Sequence, residues 1–134
     1  MNALTAVLLF AAWTLALAMI YVVPRLPPVL LGKRPANAWT RGNPSIDAPV
    51  IVRAQHAHLN ALENLPIFLT VVAAALLTDR GAVIDPLAPY VLYARIGQSL
   101  IHLMGTAFLH VLLRATFYFV QVALMAYMIW ALLH

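Results

Sequence analysis

The sequence predicts an all-α integral membrane protein, a bundle of four transmembrane helices that forms one domain over residues 1–134. Two observations come from composition: 64% of the residues are hydrophobic and only 9% are charged, whereas a soluble domain of this size needs a far more polar surface. The third is a series of long apolar segments separated by proline, glycine and charged residues. Such segments are typical of helices that cross a bilayer, so membrane lipid is an expected partner.

The same composition argues against several other functions. The chain has no cysteine, so neither a disulfide nor a protein thiol nucleophile is available, and any thiol must arrive with a substrate. The net charge of +4 is not concentrated in one basic run, so nucleic acid is not an expected partner. His56 and His58 are two positions apart and point in different directions on a helix. No metal site is therefore expected.

Four spans and one long loop follow from the apolar segments. The spans are expected at about 3–24, 49–78, 86–109 and 112–133, with a basic loop over about 25–48. Residues 1–24 carry no charge, and their length suits a hydrocarbon core of about 30 Å.

Local signals indicate where these helices begin and end. Pro24 should end the first span, because proline lacks the amide hydrogen and clashes with the preceding turn. Asp47 is the expected N-cap of the second span, since Pro49 then falls in its first turn. Pro66 should bend the second span, and a short turn around His110 should separate the last two.

Charge placement predicts how the chain crosses the membrane. One side carries Arg25, Lys33, Arg34, Arg41, Arg53 and Arg114, and the other carries Arg80. By the positive-inside rule the long loop and the last turn are cytoplasmic, with both termini on the non-cytoplasmic side. Trp39, inside the loop, is expected to anchor it at the level of the lipid headgroups.

The second span carries a polar stripe. Arg53, His56, Asn60 and Glu63 are separated by three, four and three positions, so they share one helix face. An ionisable group at membrane depth is costly and usually faces a protein interior or a watery cavity. Glu63 is therefore the first residue to suspect of function.

Two further stripes are expected in the last two spans. The third span has Arg95, Gln98, Ser99, His102 and Thr106 on one face, and the fourth has Arg114, Tyr118, Gln121 and Met125. We expect Arg95 and Glu63 to neutralise each other across spans two and three. Two interpretations of the stripes stay open: they only bond the helices together, or they form a site for a small zwitterionic anion. In such a site a nearby cation would stabilise a ligand thiolate.

The residues that carry these stripes also resemble a known family. The tract 57–68 (AHLNALENLPIF), the tract 94–96 (ARI) and Arg114 followed by Tyr118 are similar to the MAPEG family, the membrane-associated proteins in eicosanoid and glutathione metabolism. The similarity extends over essentially the whole chain, which resembles a bacterial-type member. It implies a homotrimer of four-helix subunits in the bacterial inner membrane, with glutathione as a co-substrate in a cleft between neighbours.

The resemblance also implies which side chains hold glutathione. Asn60 and Glu63 match an amide and a carboxylate that contact it, and Arg114 matches the arginine that stabilises its thiolate. The full set of expected ligand contacts is Arg25, Arg53, His56, Asn60, Glu63, Arg95, His102 and Tyr118, with Arg114 as the catalytic residue. In the family an arginine contacts a carboxylate of the peptide. The matching position in this sequence is His56 or Leu59, so that arginine is missing here.

Two functions from different classes follow. The first is a glutathione-dependent transferase or peroxidase that acts on hydrophobic small-molecule electrophiles drawn from the lipid. The alternative is a non-catalytic membrane protein with the MAPEG fold that binds a lipid or another anionic metabolite, and the missing arginine favours it. A scaffold whose polar stripes only hold the trimer is the third interpretation. The sequence leaves open whether the protein is an enzyme.

Overall fold

Helices account for the regular structure of the protein in a computed structural model that describes residues 1–40 and 42–134. They are α1 Ala3–Val22, α2 Leu26–Leu30, α3 Pro49–Leu77, α4 Gly81–Ile84, α5 Ala88–Met104 and α6 Phe108–Leu133, with a 3-10 turn at Val23–Arg25. No strand occurs in the described residues, which confirms the all-α class. Arg41, one of the basic loop residues, lies outside the part that is described.

Three helical segments are long and apolar enough to cross a membrane: Ala3–Leu30, Pro49–Leu77 and Phe108–Leu133. They make the chain an integral membrane protein with three candidate spans. Helix α5 has 17 residues, which corresponds to about 26 Å at 1.5 Å per residue. The expectation of a fourth span rests on this shorter helix and stays a prediction.

The first two helix boundaries differ from the sequence-based expectation. Pro24 lies in the 3-10 turn, and the helical path continues into α2 as far as Leu30. Helix α3 begins at Pro49 as expected, but its N-cap is Ala48, which makes no side-chain hydrogen bond. The prediction of Asp47 as the N-cap is wrong, because its carboxylate instead accepts hydrogen bonds from Arg25 and Trp39. Helix α3 continues through Pro66.

The break between α5 and α6 falls earlier in the chain than expected. Helix α5 ends at Met104 and α6 already begins at Phe108, so His110 lies in the first turn of α6 and not in a connecting turn. A Cβ atom added to Gly105 would lie 3.1 Å from Cε1 of His110. The glycine therefore lets the imidazole ring pack against the connection.

The core lies mainly between α1, α3 and α5, and the most extensive helix packing is that of α1 on α3 and of α5 on α6. The rings of Phe10 and Phe68, on α1 and α3, have centroids 5.7 Å apart. On the other side, a Cβ added to Gly97 would lie 2.9 Å from Cζ of Phe117. A small residue at a helix crossing allows backbones to approach closely, so Gly97 sets how near α6 comes to α5.

A buried amide cluster joins three of the helices. Gln121 donates from Nε2 to Oε1 of Gln98 at 2.8 Å and to the carbonyl of Phe117 at 2.9 Å, and Asn64 donates to Oε1 of Gln121 at 3.5 Å. For Gln98, the interpretation that polar residues bond helices together is therefore confirmed. Ser99 donates only to a carbonyl of its own helix, and Thr106 is exposed.

Candidate functional site

Helices α3, α5 and α6 surround an open recess with a volume of about 570 Å³. It is lined by His56, Asn60, Glu63, Gln98, His102, Val111, Arg114, Ala115, Tyr118 and Phe119. Hereafter "the recess" means this set. Six residues expected at the site from sequence lie in it: His56, Asn60, Glu63, His102, Arg114 and Tyr118.

One wall of the recess is the polar stripe of α3. His56, Asn60 and Glu63 lie on one face, because their spacing of four and three follows the turn of the helix. The side chain of Glu63 is exposed in the single chain. The one ion pair among the described residues joins Arg25 and Asp47, so the expected pair between Glu63 and Arg95 is not formed.

Arg95 is fully buried and is not among the residues that line the recess. Its Cζ atom lies 5.4 Å from the centroid of the Phe10 ring on α1, a distance at which the ring face attracts a cation. Nε and Nη2 have no hydrogen-bond partner among the described residues. The guanidinium packs over Phe10 and does not form an ion pair with Glu63.

The opposite wall comes from α6, where Arg114 and Tyr118 are one turn apart. Both side chains are half-buried. The guanidinium of Arg114 forms no ion pair with a described carboxylate, so its charge faces the recess uncompensated. Val111, Ala115 and Phe119 complete this wall. None of these three is among the site residues expected from the sequence. Val111, three positions before Arg114, could have been found from helical spacing, whereas Ala115 and Phe119 do not share the helix face of Arg114.

Two arginines that sequence analysis expected at the site are occupied elsewhere. Arg53 donates from Nε to the carbonyl of Leu103 at 2.9 Å, in the last turn of α5, where a cation is stabilising. Arg25 belongs to what we call the loop clamp, defined by Tyr21, Arg25, Trp39, Asp47 and Gln55. Of Arg25, Arg53, His56 and Arg114, which were all expected at the site, only His56 and Arg114 therefore line the recess.

The loop clamp fastens the loop between α2 and α3 to the helices. Arg25 donates to Oδ2 of Asp47 from Nε at 3.0 Å and from Nη2 at 2.5 Å, and Nη2 also donates to Gln55 at 2.8 Å. Trp39 donates from Nε1 to Oδ1 of Asp47 at 2.9 Å. The guanidinium lies over the rings of Tyr21 and Trp39. Trp39 is thus held by the protein itself and not only by a headgroup layer.

The clamp borders a second, smaller recess of about 330 Å³, hereafter the loop recess. Among the described residues, His56 is the one that lines both cavities. Its ring centroid lies 6.2 Å from that of His102. His58 faces the other way: its Nδ1 is 2.9 Å from the carbonyl of Thr14 on α1.

The fold and the recess define the protein as an all-α integral membrane protein with polar side chains gathered between its helices. The model of the MAPEG family matches residues 3–134, so the chain belongs to the MAPEG family. This confirms the membership that the sequence motifs predict. No curated protein and no solved structure gives a match.

Proposed function

We propose that the protein is a glutathione-dependent transferase or peroxidase that acts on hydrophobic electrophiles at the membrane. Membership in the MAPEG family supports a glutathione-related function at the family level. The observation that carries the proposal is that Arg114, which forms no ion pair with any carboxylate in the described part of the chain, shares one recess with Glu63 and Asn60. A cation, a carboxylate and an amide are the groups that a zwitterionic peptide with a thiol requires.

The groups of glutathione can be matched to the recess one by one. Its ammonium group suits Glu63, its peptide groups suit the amide of Asn60, and its thiol suits Arg114. The volume of about 570 Å³ lies within the range of small-molecule sites, about 300–1,000 Å³. The recess therefore has the space for the proposed co-substrate and partners for its ammonium, peptide and thiol groups.

Arg114 is the proposed catalytic residue. A neighbouring cation lowers the pKa of a thiol and increases the fraction of the nucleophilic thiolate. The thiol proton leaves to solvent, the sulfur forms a bond to the electrophilic carbon, and the leaving group departs with its electron pair. In the peroxidase reaction two glutathione molecules reduce a hydroperoxide to an alcohol and water, and they are oxidised to the disulfide.

The hydrophobic co-substrate is proposed to enter from the lipid. Val111 and Phe119, in the α6 wall, have exposed side chains, so the recess has an apolar side that a dissolved electrophile can reach. We also propose that Tyr118, His56 and His102 contact the bound peptide. Arg25, Arg53 and Arg95 are proposed to act as supports of the site, because their side chains lie outside the recess.

We further propose that the site is completed in a homotrimer. Glu63 is exposed in the single chain although it lies in a candidate span, and a charge facing lipid is costly. Helix α6 buries only Gln121, Met125 and Met128 in the single chain. A neighbouring subunit that packs against part of α6 and shields Glu63 from lipid would remove both problems. The proposed location is the bacterial inner membrane, with both termini on the non-cytoplasmic side.

Conjugation of glutathione to a chlorodinitrobenzene-type electrophile by the detergent-purified protein tests this function. Losing a group that stabilises developing charge typically lowers a rate by about 100-fold or more, and we expect that loss for Arg114→Ala. Arg34→Ala is the matched control, because Arg34 is exposed in the loop and lines neither cavity. Equal activity of both variants and the wild type would remove Arg114 from the mechanism.

The second candidate function is binding of a lipid or another anionic metabolite without catalysis. The observation that favours it is that neither His56 nor Leu59, the two positions at which the resemblance implies an arginine, carries one. Arg114 is then the one arginine that lines the recess among the described residues. Calorimetry separates the two candidates. No heat of glutathione binding, together with anionic lipid that co-purifies with the protein, would favour the second.

A further inference from the structure

We infer that His56 determines which ligand charge the recess accepts, because it binds a carboxylate of the ligand together with a proton. The inference deepens the proposed function and rests on it for the choice of ligand. It predicts that a ligand with two carboxylates binds more tightly at acidic pH, whereas a ligand with one carboxylate gains little.

The position of His56 is the first basis for the inference. Its side chain is exposed, it lies on the wall of the recess, and it is the described residue that also lines the loop recess. The ring hydrogen bonds among described residues belong to His58 and His134. Both ring nitrogens of His56 are therefore available to a ligand.

The second basis is the shortage of fixed positive charge in the recess. The charged or titratable groups that face His56 are Arg53 and Glu63 on α3, His102 on α5, Arg114 and Tyr118 on α6, and Arg25 in the loop clamp. Arg53 and Arg25 are bonded to Leu103, and to Asp47 and Gln55, respectively. Neither of these two arginines lines the recess. Arg114 is the one arginine that does so among the described residues, and its proposed role directs it to the thiol.

Histidine is the residue type that gains a charge at physiological pH. Arginine, tyrosine and carboxylates ordinarily titrate outside the interval from about pH 5.5 to 7.5, whereas histidine titrates within it. A carboxylate that binds next to an imidazole favours the imidazolium form. Because such coupling is reciprocal, the proton strengthens the binding of the carboxylate by the same factor.

Two other histidines serve as comparisons, because they show whether any nearby histidine could have the role proposed for His56. His102 lines the recess but is only 6% exposed, so it presents less surface to a ligand than His56 does. His58 lies two positions away on the same helix and faces α1, where it contacts the carbonyl of Thr14 and the ring of Tyr21. His58 is therefore a matched control for the loss of a histidine from α3.

Calorimetry on the full chain in detergent at pH 5.5, 6.5 and 7.5 tests the inference. S-methylglutathione is the probe, because it keeps both carboxylates and has no titratable thiol. Two opposite charges about 4 Å apart in water would strengthen binding by a limiting factor of about fivefold. Because an ordinary histidine titrates near the middle of this interval, we expect the wild type to bind the probe about threefold to fourfold more tightly at pH 5.5 than at pH 7.5. Buffers with different ionisation enthalpies should show proton uptake on binding.

Three variants and one further ligand sharpen the test. His56→Gln is expected to bind with an affinity that does not change with pH, and His58→Gln is expected to behave as the wild type. His56→Lys carries a permanent charge, so it should keep the tighter affinity at all three pH values. The glycine monoethyl ester of S-methylglutathione, which lacks one carboxylate, should bind the wild type with little pH dependence.

A wild-type affinity that does not change with pH, or a pH dependence that persists in both His56→Gln and His56→Lys, would overturn the inference and leave glutathione binding intact. No binding of the probe or of glutathione to the wild type at any of the three pH values would instead overturn the proposed function, and the inference with it. The wild-type titration therefore distinguishes the two failures.

Discussion

The loop clamp gives the sharpest prediction about stability, through the substitution Asp47→Asn. The Asp47 side chain is 8% exposed, and its two oxygens accept three hydrogen bonds: two from Arg25 at Oδ2 and one from Trp39 at Oδ1. An asparagine at this position has one oxygen and one NH₂ group. Whichever way the amide turns, a donor then faces either Arg25 or Trp39, and the negative charge is gone.

The expected loss of free energy for closing the loop follows from these contacts. Hydrogen bonds to charged groups contribute about 1.5–3 kcal/mol each, and Arg25 keeps its bond to Gln55. We therefore expect closure of the loop to weaken by about 2 kcal/mol, which corresponds to an increase of about 30-fold in the population with the loop open. The fold itself should persist, since the clamp lies outside the core between α1, α3 and α5.

Limited trypsin digestion measures this opening, because Lys33 provides a cleavage site in the loop, whereas the bond after Arg34 precedes Pro35 and resists trypsin. When opening is fast relative to cleavage, the rate of cleavage follows the open population. Asp79→Asn is the matched control, because Asp79 is an exposed carboxylate outside the clamp and asparagine tolerates its positive φ of 54°. Equal cleavage rates for both variants and the wild type would refute the reasoning about the clamp.

Three more predictions concern the contacts between helices. Gln121→Leu removes two interhelical side-chain bonds of the amide cluster, so we expect a loss of about 1–3 kcal/mol in a detergent unfolding titration, and unchanged stability would contradict it. Gly97→Ala should lower the stability by about 1–3 kcal/mol, because the added methyl group overpacks against Phe117. Adding Phe117→Leu to this variant should recover part of that stability. If it recovers none, the strain does not arise from the contact with Phe117. Arg80→Gln loses bonds to two carbonyls of the last turn of α6, so amide hydrogen exchange there should accelerate about fivefold, the effect of about 1 kcal/mol.

Helical spacing explains why part of the candidate site could be predicted from sequence. His56, Asn60 and Glu63 were expected on one face, and Arg114 and Tyr118 on another, because a helix repeats its faces every three or four positions. Both faces line the recess. Polar residues in an apolar chain must gather where protein or water receives them, so the meeting of these faces also followed from the sequence.

The directions of the long arginine side chains could not be predicted in this way. Spacing fixes the helix face on which Arg95 begins, but its flexible side chain can reach either neighbouring helix, and it lies over Phe10 on α1. Arg25 was expected at a ligand, and it is bonded to Asp47, 22 positions further along the chain. Contacts of this kind depend on how the loop folds back onto the helices, which the local sequence pattern does not predict.

The helix break before α6 has a similar explanation. The sequence placed a turn around His110, yet the ring of His110 packs against Gly105 and the helix already begins at Phe108. A turn residue is recognised by its own chemistry, whereas this boundary depends on the contact between a ring and a glycine five positions away.

The ultraviolet absorbance of the glutathione thiolate, recorded while glutathione is titrated into the detergent-purified protein at neutral pH, tests most directly whether the recess ionises a bound thiol. The account predicts a thiolate band that grows and saturates with the wild type and with Arg34→Ala. It predicts no band with Arg114→Gln, even when calorimetry shows that glutathione is bound. A band of equal size in Arg114→Gln, or none in a wild type saturated with glutathione, would contradict it.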